Sequence, residues 1–212
     1  SFDVNAEIHG GTAFAAAVQN GHLEIVRFLC SIGANVDRPI HDGATPVFIA
    51  AYRGYVEIVK FLVARGADLE RPNSKGNTPF FICCQHCRLD IAELLADRGV
   101  HLEPVNEAGS TPFFFACQEG NLRVVAFLAQ RGVDCQRGKN GITPFHMACY
   151  RGHLDVVAFL AVERGLDARA IDGHGRTPLE VARRAQRDDV VQFLEQQDPE
   201  LAKTRRGRES CL

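Results

Sequence analysis

The chain has 212 residues, a formal net charge of −2 and a pI near 6.4, a balance that argues against a nucleic-acid binder. Hydrophobic residues make up 46% and charged residues 24%, ordinary for a folded protein, and no apolar run approaches the ~18 residues of a membrane span. Eight cysteines would signal a disulfide framework in a small secreted chain, but here their places in a repeating pattern account for them.

The opening phrase "DVNAEIHGGT" reads as the second half of a hairpin between two repeats. With Met147 as the sole methionine, the chain is expected to be an excerpt from a longer array. From there one phrase recurs. Thr12, Thr45, Thr78, Thr111, Thr143 and Thr177 are spaced 33, 33, 33, 32 and 34 residues apart, and Pro follows all but the first. A Gly stands two residues before each Thr, and another nine residues after it at Gly21, Gly54, Gly120 and Gly152. A fixed period in this range marks a solenoid, in which each unit contacts only its neighbours.

Within each unit, Thr can cap a helix and Pro suits its first position. A short apolar helix follows, such as Val47 to Tyr52, and ends near the Gly at plus nine. A second helix carries apolar residues at helical spacing, as in Val56, Ile58, Val59, Phe61 and Leu62, and stops at Gly66. Arg65, Arg98, Arg131 and Arg164 precede the terminal Gly, where a cation complements the helix C-terminus. The turn-rich residues that lead to the next Thr ("ADLERPNSKGN") suit a projecting hairpin.

The cysteines fall in register with small core residues. Cys84, Cys117 and Cys149 lie six residues after their Thr, where the second repeat has Ala51, and Cys83 aligns with Ala50, Ala116 and Ala148. They read as small buried residues of a reducing compartment. "CCQHC" (Cys83 to Cys87) has one C-x-x-C pair and no second, so no structural zinc site is expected. Most of the 14 Phe fall in the "TPFF" segments or the second helices (Phe28, Phe61, Phe127, Phe159, Phe193) and are expected in the core. Cys87 stands where the first helix should end in Gly, a position expected to be weak. The sixth unit has Gln186 in that place and Asp188 where the second helix normally has Leu, the polar character of a terminal capping repeat.

"DGATPVFIAAYRGYVEIVKFLVARGADLE", "GITPFHMACYRGHLDVVAFLAVERGLD" and "GHLEIVRFLCSIGANVD" resemble the ankyrin repeat, with its T-P-L-H-x-A signature. The resemblance covers roughly residues 3 to 197 in six copies. It implies an all-α solenoid: antiparallel helix pairs stacked side by side, with hairpin loops projecting like fingers. Residues 1–198 are expected to form the array and 199–212 a basic tail or linker. The family's His survives only as His146; Phe48, Phe81 and Phe114 replace it in three consecutive repeats, where apolar packing must serve instead. Some family members are hydroxylated at an Asn of the "DVN" phrase. Asp37, Glu70, Glu103, Gln136 and Arg169 hold that place here, and only Asn5 fits.

The resemblance also implies the function of a protein-interaction scaffold, gripping a partner protein with its concave face and finger tips. The alternative is a regulatory or substrate-targeting arm of a larger kinase or ubiquitin ligase. The presenting positions on the first helices are Tyr52, Arg53, Gln85, His86, Gln118, Glu119, Tyr150 and Arg151. Those at the fingers are His41, Asp42, Lys75, Asn77, Glu107, Lys139, His174 and Arg176. The two Tyr-Arg pairs stand out because both residue types are enriched at binding hot spots. Residues 1–136 carry 11 basic and 15 acidic side chains (net −4), and residues 137–187 carry 9 and 5 (net +4), a polarity that can steer a partner. No P-loop, dinucleotide fingerprint or nucleophile elbow is present, so no enzyme activity and no cofactor are expected. The expected setting is intracellular, cytoplasmic or nuclear, as a monomeric segment with no nucleic-acid or membrane partner. In the tail, Ser210 and Leu212 match a loose PDZ-ligand pattern, and Arg206 and Arg208 before Ser210 suit a basophilic kinase.

Overall fold

The threonines initiate helices as their spacing implies. In this computed structural model, which describes residues 3–8 and 11–199, the Oγ1 of Thr12, Thr45, Thr78, Thr143 and Thr177 each accepts the backbone N–H three residues on, at 3.1 to 3.4 Å. Thr177 closes a full capping box, because the Glu180 carboxylate accepts the Thr177 N–H at 2.9 Å. The first helices of the six units are α1 (Ala13–Gln19), α3 (Pro46–Arg53), α5 (Pro79–Gln85), α7 (Pro112–Glu119), α9 (Pro144–Arg151) and α11 (Pro178–Arg184). The second helices are α2 (Leu23–Ser31), α4 (Val56–Ala64), α6 (Leu89–Ala96), α8 (Leu122–Gln130), α10 (Leu154–Ala158) and α12 (Asp188–Gln197). The opening phrase pairs Glu7–Ile8 (β1) with Gly11–Thr12 (β2) antiparallel. The basic tail, with Ser210 and Leu212, lies outside the described residues.

Two irregular spacings have separate structural outlets. The 32-residue step loses its residue from the finger, which closes as a two-residue hairpin at Asn140-Gly141. Both residues have positive φ (52° and 76°), and Lys139 and Ile142 exchange two backbone bonds of 2.9 Å, as the tightest turn requires. The 34-residue step adds its residue to the second helix, where α10 runs on into a π-helical turn, Phe159–Glu163. One extra residue per turn is what a π-bulge absorbs.

The chain divides into two compact units between Pro112 and Phe113. In the first, α1, α3 and α5 pack side by side, as do α2, α4 and α6, around Phe14, Leu62, Phe80, Phe81, Ile91 and Leu95. In the second, α9 packs on α11 and α10 on both α8 and α12, around Leu128, His146, Leu160, Leu179 and Leu194. Phe48, Phe81 and Phe114 are buried in the place of the signature His. Phe28 departs from the expected core placement. It is 61% exposed on α2, with Ile25 and Ile32 beside it, whereas Phe61, one repeat on, is 8% exposed. Phe61 is covered by the guanidinium groups of Arg27 (5.2 Å from the ring centre) and Arg65 (5.0 Å), so the Arg before the terminal Gly also shields an aromatic ring.

Neighbouring repeats are tied by polar bonds as well as by packing. In the first unit the Asp42 carbonyl accepts the Ser74 N–H at 2.7 Å, and the Lys75 carbonyl accepts the Glu107 N–H at 3.1 Å. The fingers lie so close that a Cβ on Gly76 would sit 2.8 Å from the Glu107 nitrogen. In the second unit Gly173 donates to the Gly141 carbonyl at 2.7 Å. The acidic residues that replace the "DVN" Asn do related work. Asp37 accepts the Asp68 N–H at 2.9 Å, Glu70 accepts the His101 N–H at 2.6 Å, and Asn5 bonds Asn35 and Gly33. Among the described residues, no helix is long and apolar enough to cross a membrane.

Candidate partner-binding surface

The first unit carries a groove of about 420 Å³ between its first helices and its fingers. Its floor is apolar, formed by Ile40, Phe48, Ile49 and Ile82. Polar residues from two fingers (Asp42, Asn73, Lys75) and from three helices and their ends (Gln19, Tyr52, Arg53, Gln85, His86) line the rim, with Asn77 buried beside the floor. Two of the expected pairs therefore meet in one place: Tyr52 and Arg53 end α3, while Gln85 ends α5 and His86 follows it. The Tyr52 ring meets His86 edge to face, with ring centres 4.7 Å apart, and the Arg53 guanidinium lies 5.7 Å from the Tyr52 ring centre. Both groups pack against the Tyr52 ring while leaving the residue 43% exposed.

The remaining first-unit residues divide by burial. His41 and Glu107 are exposed on their fingers. Asn77 is buried, and its Oδ1 accepts the Asn106 side-chain N–H at 3.0 Å, which turns its side chain toward the next finger.

In the second unit, Gln118 and Glu119 hydrogen-bond each other at 2.9 Å. Tyr150 is 51% exposed and, with Ile142, Met147 and Val181, borders a small pocket of about 150 Å³. Arg151 and His174 are exposed, and Lys139 is half-buried in its hairpin. Arg176, expected at a finger, is half-buried and bonded within its own finger. Its Nε and Nη2 donate to Asp172 Oδ2 at 2.9 and 2.7 Å. The Asp172 carboxylate is fully buried and also accepts the His174 and Arg176 backbone N–H groups. Burial alone would raise the Asp172 pKa; the Arg176 and backbone hydrogen bonds overcome it and hold the carboxyl at about 2.

His146 lines the same pocket as Tyr150. A backbone carbonyl can only accept, so Nε2 donates to the Arg176 oxygen at 2.9 Å, and the neutral ring's Nδ1 accepts the Thr143 hydroxyl at 2.7 Å. Burial lowers the His146 pKa and keeps this neutral form. The sequence marked His146 as the surviving signature His, but not Asp172, whose only local sign is the i, i+4 spacing to Arg176.

The "CCQHC" segment is split by the fold. Cys83 and Cys84 are fully buried, the Cys83 thiol donating to the Phe80 carbonyl at 3.1 Å, while Cys87 is exposed. Burial pushes the Cys84, Cys117 and Cys149 thiols well up, which makes them poor nucleophiles and metal ligands. Among the described residues, no three His, Cys, Asp or Glu side chains gather as metal ligands.

Repeated helix pairs with stacked fingers define a helical-repeat protein, and comparison with protein families identifies which. A model described as ankyrin repeats (3 copies) matches residues 1–73 and 67–139, and one described as ankyrin repeats (many copies) matches residues 128–182. The chain belongs to the ankyrin-repeat family, and its fold is the all-α repeat solenoid of that family. Ankyrin repeats are generally protein–protein interaction modules and typically non-catalytic. A search of curated proteins returned no match.

Proposed function

We propose that the chain is a scaffold that binds a partner protein through the concave side of its helices and its finger tips, with Tyr52 and Arg53 in the first unit and Tyr150 and Arg151 in the second as anchors. The observation that carries the reading is the first-unit groove: an apolar floor with Tyr52 half-exposed and braced by His86 and Arg53. A pre-shaped surface loses little ordering entropy when it is occupied. Tyr brings a large apolar area at the cost of only two torsions, and Arg brings a fork of donors.

The array is assigned to residues 1–198, acting as a monomer with no nucleic-acid partner. The setting is the reducing interior of the cell, cytoplasm or nucleus. Supporting this, five of the seven described cysteines are buried as small core side chains.

The test is capture of partners by proximity labelling, followed by titration of alanine variants. Truncation of Tyr52, Arg53, Tyr150 or Arg151 is expected to weaken binding by about 2 kcal/mol or more where the residue is a hot spot. Lys60 and Glu93 are exposed on second helices, and their replacement is expected to be nearly neutral. Loss of binding in the Lys60 and Glu93 variants, with the Tyr-Arg variants intact, would place the partner on the opposite face.

A further inference from the structure

The chemistry of the first-unit groove narrows what can occupy it. Its rim is built by α1, α3 and α5 and by the fingers at 40–44 and 73–77, so it spans two repeat steps. Packed helices are separated by roughly 10 Å, which makes the groove about 20 Å long. An extended chain rises about 3.3 Å per residue, so about six residues fill that length. The apolar stations along it are Phe48, Ile49 and Ile82, all under 8% exposed as residues yet reaching the groove floor, together with Ile40.

Charge selects among six-residue segments. Arg53 enters from the end of α3 and Lys75 from a finger tip, and neither forms an ion pair with any described carboxylate. Asp42 is the one acid on the rim, and its Oδ1 is turned to its own loop, accepting the Ala44 N–H at 3.1 Å. The groove therefore carries two cations against one carboxylate. Residues 3–112 as a whole carry 9 basic and 13 acidic side chains, a net of −4, so this rim is a local exception on an acidic unit. A basic segment would press like charge against Arg53 and Lys75 as both lose water, whereas a carboxylate gains charge-assisted hydrogen bonds from them.

We infer that the groove takes an extended segment of about six residues bearing an acidic side chain next to an aliphatic one, the carboxylate facing Arg53 and Lys75 and the aliphatic group resting on Ile49 and Ile82. This rests on the partner-binding reading above and specifies the partner's chemistry. Asp42 sets the limit: a segment with several adjacent acids meets it and is disfavoured relative to one with a single acid.

The experiment is selection of phage-displayed random heptapeptides on the immobilised chain, followed by fluorescence titration of the enriched peptides, made synthetically. Binding is compared among the natural chain, Tyr52→Ala, the double variant Arg53→Glu/Lys75→Glu, and Lys60→Glu as control. All four positions are exposed, so melting curves serve to confirm that folding is retained. The expected result is enrichment of Asp or Glu beside Leu, Ile or Val. Affinity should fall at least ten-fold in the double variant, stay unchanged in Lys60→Glu, and weaken as salt is raised. Enrichment of neutral or basic peptides, absence of enrichment, or equal affinity in the charge-reversed variant overturns the inference. Peptides lost on Tyr52→Ala but indifferent to charge reversal would overturn it while leaving the partner-binding face in place. Peptides lost only on Lys60→Glu would remove both.

Discussion

Replacing Cys87 with Gly should stabilise the chain. Cys87 follows the end of α5 with φ of +56°, in the place where Gly21, Gly54, Gly120 and Gly152 adopt φ between 73° and 82°. An L-residue held there brings its Cβ toward a carbonyl oxygen, a strain of about 1 kcal/mol. Glycine removes the strain but widens the unfolded ensemble, which takes back about 0.5 kcal/mol. The Cys87 side chain is exposed, so little packing is lost. The net gain is about 0.5 kcal/mol, or roughly 3 °C in melting temperature for a unit of this size.

Two companion variants check the mechanism. Cys87→Ala keeps the strain while removing the thiol, and should give no gain. Gly120→Ala adds the strain and places a Cβ 2.5 Å from His153 Nδ1, whose ring donates from Nε2 to the Gln118 carbonyl at 2.9 Å. Displacing that ring adds about 1 kcal/mol to the strain, for a total near 2 kcal/mol. Thermal and urea unfolding followed by circular dichroism measure all three. A lower midpoint for Cys87→Gly, or a gain as large for Cys87→Ala, would refute the strain argument and assign the effect to the thiol.

Ser110 Oγ is buried with no hydrogen-bond partner, at the finger position that holds Ala44 in the second repeat; Ser110→Ala should therefore raise stability by up to about 1 kcal/mol, and a clear loss in urea unfolding would reveal a bond this geometry lacks. His146 and Asp172 both have folded pKa values below their unfolded ones, so the unfolded chain takes up protons first and stability falls with acid, from about pH 6.5 downward for His146 and between about 4 and 2 for Asp172. Asp172→Asn should remove the lower step and, with Arg176 partly exposed and screened, destabilise by about 2 kcal/mol; an unchanged acid-unfolding profile would contradict this. Thiol titration of the native chain should leave Cys83, Cys84, Cys117, Cys135 and Cys149 unreactive until denaturant is added, whereas rapid reaction of more than three of the eight thiols would show that the core opens.

The helices and their ends were legible in the sequence because they rest on neighbours close in the chain. A Thr oxygen caps the third amide beyond it, Pro fits the first turn, and Gly takes positive φ at Gly54 and Gly66, all without help from another repeat. The left-handed Cys87 was legible for the same reason. The register also placed Tyr52, Arg53, Gln85 and His86 at matching points of two repeats, where they line one groove. What the register could not supply was their surroundings. Phe28 and Phe61 occupy the same position of their helices, yet one is 61% and the other 8% exposed, because burial depends on what the adjacent repeat brings. The 32- and 34-residue steps were visible as numbers, but only packing against fixed neighbours decided that one residue left a finger and the other entered a helix as a π turn. Likewise the register did not show that Asn77 bonds Asn106 or that Arg176 pairs with the buried Asp172. Local conformation is set by bonds within a few residues, and was determined by the sequence alone; exposure and partnership are set by contacts about thirty residues away, and only the tertiary structure decides them.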